Sequence, residues 1–186
     1  MTFMVPFDGS ALAEAALVKA HGSAVGLAAV ASELPQLAQL SDPIDVVAVS
    51  VIPDNARYAR RKGWIDPGET FQPGAVVDTL RQQVADLVPS AEFQSRRVDR
   101  GATAGTISGR LRRTARDLGA TMVFIGSDNA GRIVTPITSI GGGVTAGDAY
   151  DVCIVRHPLP DDIEVPADVD DDDPRESWFQ FPDHSS

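Results

Sequence analysis

The chain has 186 residues, 43% of them apolar, and a formal charge of −10 at pH 7. That length holds one domain with a sizeable core and at most an appendage, and no apolar run approaches the roughly 20 residues of a membrane span. The charge is unevenly placed: from Asp161 onward ten acidic residues stand against Arg175 alone, so residues 1–160 are nearly neutral and lack the basic surface of a nucleic-acid binder.

Met1–Pro6 has neither a basic start nor a long apolar stretch, so no secretory signal is expected and a cytoplasmic location follows by default. Cys153 is the single cysteine; it has no intramolecular disulfide partner, and its apolar surroundings predict a buried filler. Lysine is scarce (Lys19 and Lys62) and arginine common, a composition of GC-rich or salt-adapted hosts.

Thr2–Phe7 reads as a strand entering the turn Asp8-Gly9-Ser10, with Ser10 placed to cap a helix. Leu12, Ala15, Ala16 and Leu17 recur at helical spacing, and Ala24–Leu34 is again helical in character. One long helix or two short ones, divided near His21-Gly22, are expected before Pro35. Neither His21 nor the distant His157 and His184 has metal-ligand spacing.

Ile44–Ile52 is the strongest β-branched run and lacks polar alternation, as in a strand covered on both faces. Asn55–Pro73 is polar. Its arginines with Tyr58 and Trp64 read as a small binding surface or, preferably, as a solvated loop or short helix whose aromatics pack on the body. Ala75–Val88 has one apolar helical face, Glu92–Val98 is polar enough for an edge strand, and Gly101–Leu118 is a helix whose Arg110, Arg112, Arg113 and Arg116 read as a solvated face in preference to a ligand site. Gly119 suits that helix's end.

The strand Thr121–Gly126 is followed by a glycine-studded stretch through Gly141-Gly142-Gly143, a helix somewhere in Val134–Ala146, and a last strand at Val152–Arg156. Glycines after a strand let amide groups approach a phosphate; they are equally the way chains turn. From Pro158 to Ser186 the composition predicts disorder, with Asp170–Asp173 and the aromatics Trp178, Phe179 and Phe181. That segment reads as a solubilising tail, as a docking motif, or as aromatics folded back onto the body. Two regions result, an α/β domain at 1–157 and an acidic tail at 158–186.

Strands and helices alternate, which predicts a doubly wound, five-stranded, mostly parallel sheet with helices on both faces. Ligands of such sheets sit at the carboxyl ends of strands where the winding reverses, so Asp8 and Gly126 mark the place to look.

Three blocks in matching order, Val5-Pro6-Phe7-Asp8-Gly9-Ser10, Gly119–Ser127 and Val152–Arg156, resemble the universal stress protein family over Met4–His157. The resemblance implies a five-stranded parallel α/β fold and a homodimer through the last strand. It also implies, in one branch, ATP or AMP with Mg2+ held between the first and fourth strands. That branch carries glycine, two residues, glycine, nine residues, glycine, then serine or threonine. Counted from Gly126 these positions fall on Asn129, Ser139 and Ile140, so only the first matches. A shifted frame fits better: Gly131 and Gly141 are separated by nine residues, and Gly142 follows. The residues implied for the ligand are Asp8, Val51, Gly126, Ser127, Gly131, Ser139, Gly141 and Gly142. Asp8 would contact the nucleoside part; its alternative is an Asx turn or cap. Val51 would line the base pocket; its alternative is plain core.

No Walker loop, nucleophile elbow or histidine beside a nucleophile is present in the sequence. The expectation is a binding and signalling module rather than an enzyme. Its alternatives are a nucleotide-free adaptor that meets a protein partner through the acidic tail or the Arg57–Trp64 segment, and a slow ATP-hydrolysing enzyme.

Overall fold

The structure, a computed structural model, describes residues 1–34, 43–126 and 150–160. The expected helix in Val134–Ala146, the glycines 131 and 141–143, and the tail beyond residue 160 lie outside the described residues. Five strands form one sheet: β1 (Thr2–Pro6), β2 (Asp45–Pro53), β3 (Glu92–Val98), β4 (Met122–Gly126) and β5 (Asp151–Val155). The order is β3-β2-β1-β4-β5 and every pairing is parallel. The helices are α1 (Ala11–Glu33), α2 (Ala56–Arg61), α3 (Pro73–Leu87) and α4 (Ala104–Asp117).

The alternation of strand side chains decides which helix covers which face. Phe3 and Val5 of β1, Phe7 just after it, and Ala48 and Ile52 of β2 pack on the face covered by α1 and α3. Met4, Val47, Val49 and Val51 point to the opposite face, against Ile107, Leu111 and Ala115 of α4. Both faces of the central strands are therefore largely apolar, as the run Ile44–Ile52, which lacks polar alternation, predicts. Phe3 and Phe124 join β1 to β4 across the first face, with ring centroids 5.4 Å apart.

Helix α1 is one continuous helix of 23 residues, so His21-Gly22 does not divide it. Ser10 caps it by accepting from the Ala13 amide at 3.3 Å. The absence of a long apolar run needs correction here: among the described residues α1 alone is long and apolar enough to cross a membrane by length and composition. Alanine supplies that apolarity, and Ala13, Ala16, Leu17 and Ala20 are buried in the core over the sheet. Along its last turns Val25 and Val30 are exposed.

Helix α4 begins at Ala104, three residues later than the expected Gly101. The cause is a capping box: Thr103 Oγ1 accepts from the Thr106 amide at 3.2 Å, and Thr106 Oγ1 accepts from the Thr103 amide at 3.3 Å. Strand β3 is an edge strand, as its polarity predicts, and pairs only with β2. The last strand runs one residue earlier than expected, and Cys153 is partly exposed rather than buried. β5 is the other edge of the sheet and has one neighbour, β4, so its side chains are less enclosed than those of a central strand.

Candidate functional site

The strand order places the reversal of winding between β1 and β4, which pair directly (Phe3 with Met122, Met4 with Val123). The crevice at their carboxyl ends is where an open parallel sheet offers room for a ligand. Asp8 and Gly126 stand at these two strand ends, as the chain order predicts.

The exit of β1 is fixed from β2. Ser50, 1% exposed, donates its hydroxyl to the Phe7 carbonyl at 2.6 Å, and the Phe7 amide donates to the Val49 carbonyl at 2.9 Å. Ser50→Ala removes the first bond in a buried setting and is expected to cost about 1 kcal/mol. A urea midpoint lowered with an unchanged m-value checks it.

Asp8 follows this anchored end. Its Oδ1 accepts from the Ser10 amide at 3.2 Å and the Ser10 hydroxyl at 2.6 Å, the Asx-turn geometry offered by its local sequence. Its Oδ2 meets Lys62 Nζ at 2.5 Å. The two side chains are 15% and 22% exposed, so the pair is shielded on most sides without being sealed. Gly9, at φ +74°, completes the turn in a conformation that side chains with a Cβ disfavour.

Lys62 reaches Asp8 because of the segment between β2 and α3. Asn55 caps α2 by accepting from the Tyr58 amide at 3.1 Å, and its Nδ2 donates to the Arg100 carbonyl at 3.2 Å. After the six residues of α2 the chain turns through Gly63 at φ +71°. Trp64 then folds back, its Nε1 donating to the Asp8 carbonyl at 2.9 Å and its ring 5.5 Å from that of Tyr58. The preferred reading of Tyr58 and Trp64, aromatics packed on the body, is what the structure shows: both pack against core residues. The sequence gives no sign that this strap would deliver Lys62 to Asp8; the contact spans 54 positions.

Two cavities flank the strap. One, of about 30 Å3, is lined by Asp8, Val49, Val51, Tyr58, Trp64 and Ile107, with Leu111 behind. The other, of about 90 Å3, is lined by Asp8, Lys62, Trp64, Thr79 and Gln83 among others. In the second, Gln83 Oε1 is buried without a hydrogen-bond partner among the described residues.

Val51 is buried core, at 7% exposure, and also lines the first cavity. Gly126 serves packing: a Cβ there would stand 2.8 Å from Leu12 Cβ and 3.1 Å from the Leu12 carbonyl carbon. The structure brings Asp8 and Val51 to one cavity. Ser127, Gly131, Ser139, Gly141 and Gly142 lie outside the described residues.

The fold defined here is a five-stranded parallel α/β sheet of order 3-2-1-4-5, with α1 and α3 on one face and α4 on the other. Among solved structures, the chain is similar to a universal stress protein family member from Burkholderia pseudomallei, at 19% identity over 84% of this chain and 96% of that one, with a TM-score of 0.42. It is also similar to a hypothetical protein whose structure served as a test of structure-based assignment of biochemical function, at 12% identity over 86% and 97% of the two chains, with a TM-score of 0.35. No protein-family model matches the sequence, and no curated protein matches it significantly.

Proposed function

We propose that the chain is a cytoplasmic binding and signalling module of the universal stress type, taking an adenine nucleotide, ATP or AMP, at the carboxyl ends of β1 and β4. The observation that carries this reading is Asp8: a shielded carboxylate beside an apolar cavity walled by Val49, Val51, Tyr58 and Trp64, at the reversal of the sheet. Apolar and aromatic walls suit a flat base, and a carboxylate accepts from ribose hydroxyls or an exocyclic amine.

The residues fit such a ligand in chemistry, while the cavity of about 30 Å3 holds little more than a water. Binding therefore requires Trp64 to move off its Asp8 carbonyl contact and Lys62 to leave the carboxylate. A released Lys62 ammonium then suits the phosphates, with Mg2+ arriving on the nucleotide. The module would act as a homodimer through β5, whose outer edge has no neighbour among the described residues and whose Val152 and Ile154 are exposed.

The test is mass spectrometry of small molecules released from freshly purified protein, with isothermal titration of MgATP and AMP. Recovery of either nucleotide near stoichiometry, or saturable heat, is the expected result. Absence of both would remove the nucleotide from this reading.

A further inference from the structure

Seven of the chain's arginines stand between Arg96 and Arg116, with Asp99 the single acidic residue in that span. Arg97, Arg100, Arg110, Arg113 and Arg116 are exposed. The two ion pairs found among the described residues, Lys62–Asp8 and Arg81–Asp78, involve none of these five. Arg97 and Arg110 line one shallow depression of about 400 Å3 with Asp99 and Thr106, and Arg113 and Arg116 continue from Arg110 along α4 in steps of three. Surface helices usually intersperse signs; α4 carries four arginines against Asp117 alone, and its guanidinium groups are each fitted for bidentate capture of a carboxylate.

We propose that this arginine surface is the docking site of the chain's own acidic segment, Asp161–Glu176. Topology places the two together. In a parallel sheet all carboxyl ends share one side, so β5 ends at Val155 on the side where β3 ends at Val98 and α4 begins. Leu159 packs on the face of α1 and α3, so the segment beyond it must pass over the carboxyl ends to reach α4. Crossing from β5 to β3 takes four strand spacings, about 19 Å. Sixteen residues span up to about 53 Å when extended, so the acidic run reaches Arg97 and continues onto α4. The charges complement each other, nine acidic residues and Arg175 in Asp161–Glu176 against five arginines that have no ion pair among the described residues. Tethering sets the effective concentration of the acidic run in the millimolar range, so it outcompetes a free anionic partner of equal affinity at micromolar concentration.

Docking of exposed charges weakens with salt, because the screening length shrinks from roughly 8 Å at physiological ionic strength to 3 Å at 1 M. Small-angle scattering of the full chain in 20 mM and 800 mM sodium chloride tests this. The wild type is expected to expand by about 2 Å in radius of gyration at high salt, against a compact value near 16 Å for one chain or about 21 Å for the β5 dimer. The variant Arg97→Gln/Arg110→Gln/Arg113→Gln is expected to be expanded at both salts. So is the tail variant Asp171→Asn/Asp172→Asn/Asp173→Asn, which leaves the folded body untouched. A wild type equally extended at low salt, or variants as compact as the wild type there, overturns the proposal. A doubled mass at low salt that both variants abolish would place the tail on a second copy and overturn docking within one chain.

Discussion

Gly126→Ala is expected to destabilise the fold by about 2–3 kcal/mol, whereas Gly22→Ala is expected to stabilise it by about 0.5–1 kcal/mol. Both changes add one methyl group and both reduce the freedom of the unfolded chain, a gain of roughly 0.4–1 kcal/mol where the folded site tolerates it. The difference lies in what the methyl meets. At Gly22, inside α1, no atom lies within 4 Å of the new Cβ. At Gly126 the new atom would stand 2.8 Å from Leu12 Cβ, 3.1 Å from the Leu12 carbonyl carbon and 3.2 Å from its oxygen. Two of these are backbone atoms in the first turn of α1 and cannot rotate aside; α1 must lift from the sheet. Urea unfolding of the two variants, at unchanged m-value, reads the contrast directly. Equal effects of the same sign would show that α1 does not approach β4 as closely as described. The result bears on function as well, because a ligand defect in Gly126→Ala would then follow from a displaced α1 and give no proof of phosphate contact.

The fold was legible because its signals are local and repeat. The β-branched Ile44–Ile52 run, the apolar stripe of Val76, Leu80 and Val84, and the turn at Asp8-Gly9-Ser10 each follow from periodicity or capping chemistry within a few residues. Boundaries moved where a cap outranked composition, as at Thr103, whose reciprocal bonds with Thr106 start α4 three residues after Gly101. The surroundings of Asp8 were only half legible. Its Asx turn with Ser10 is a two-residue matter, while its ion pair with Lys62 depends on a strap whose path no local pattern encodes. Gly126 shows a different limit: a glycine after a strand looks the same in sequence whether it admits a phosphate or a neighbouring helix. Cys153 shows another, since an apolar run does not announce that its strand will stand at the sheet's edge.

Asp8→Asn and Lys62→Met are expected to be coupled in stability and to differ in their effect on ligand preference. Asparagine keeps an oxygen for the Ser10 amide and hydroxyl, so the first change removes chiefly the charge facing Lys62. With the two groups 15% and 22% exposed, the remaining ammonium recovers part of its hydration. The loss should be about 1–2 kcal/mol, below that of a sealed pair. Lys62→Met should cost less, because methionine packs on the aromatic strap and Asp8 keeps two donors from Ser10. The double variant should lose less than the sum, by about 1 kcal/mol; strict additivity would mean that the contact contributes nothing in solution. On the nucleotide reading, Asp8→Asn weakens adenosine and ATP alike by roughly tenfold, the worth of one charge-assisted bond. Lys62→Met separates them, since freeing the carboxylate strengthens adenosine while losing the ammonium weakens ATP. Titration of both ligands into the three variants decides whether Lys62 is an obstacle to the base, a ligand to the phosphates, or both in turn. If Lys62→Met shifted the two affinities in parallel, the lysine would be only a structural tie between the strap and β1.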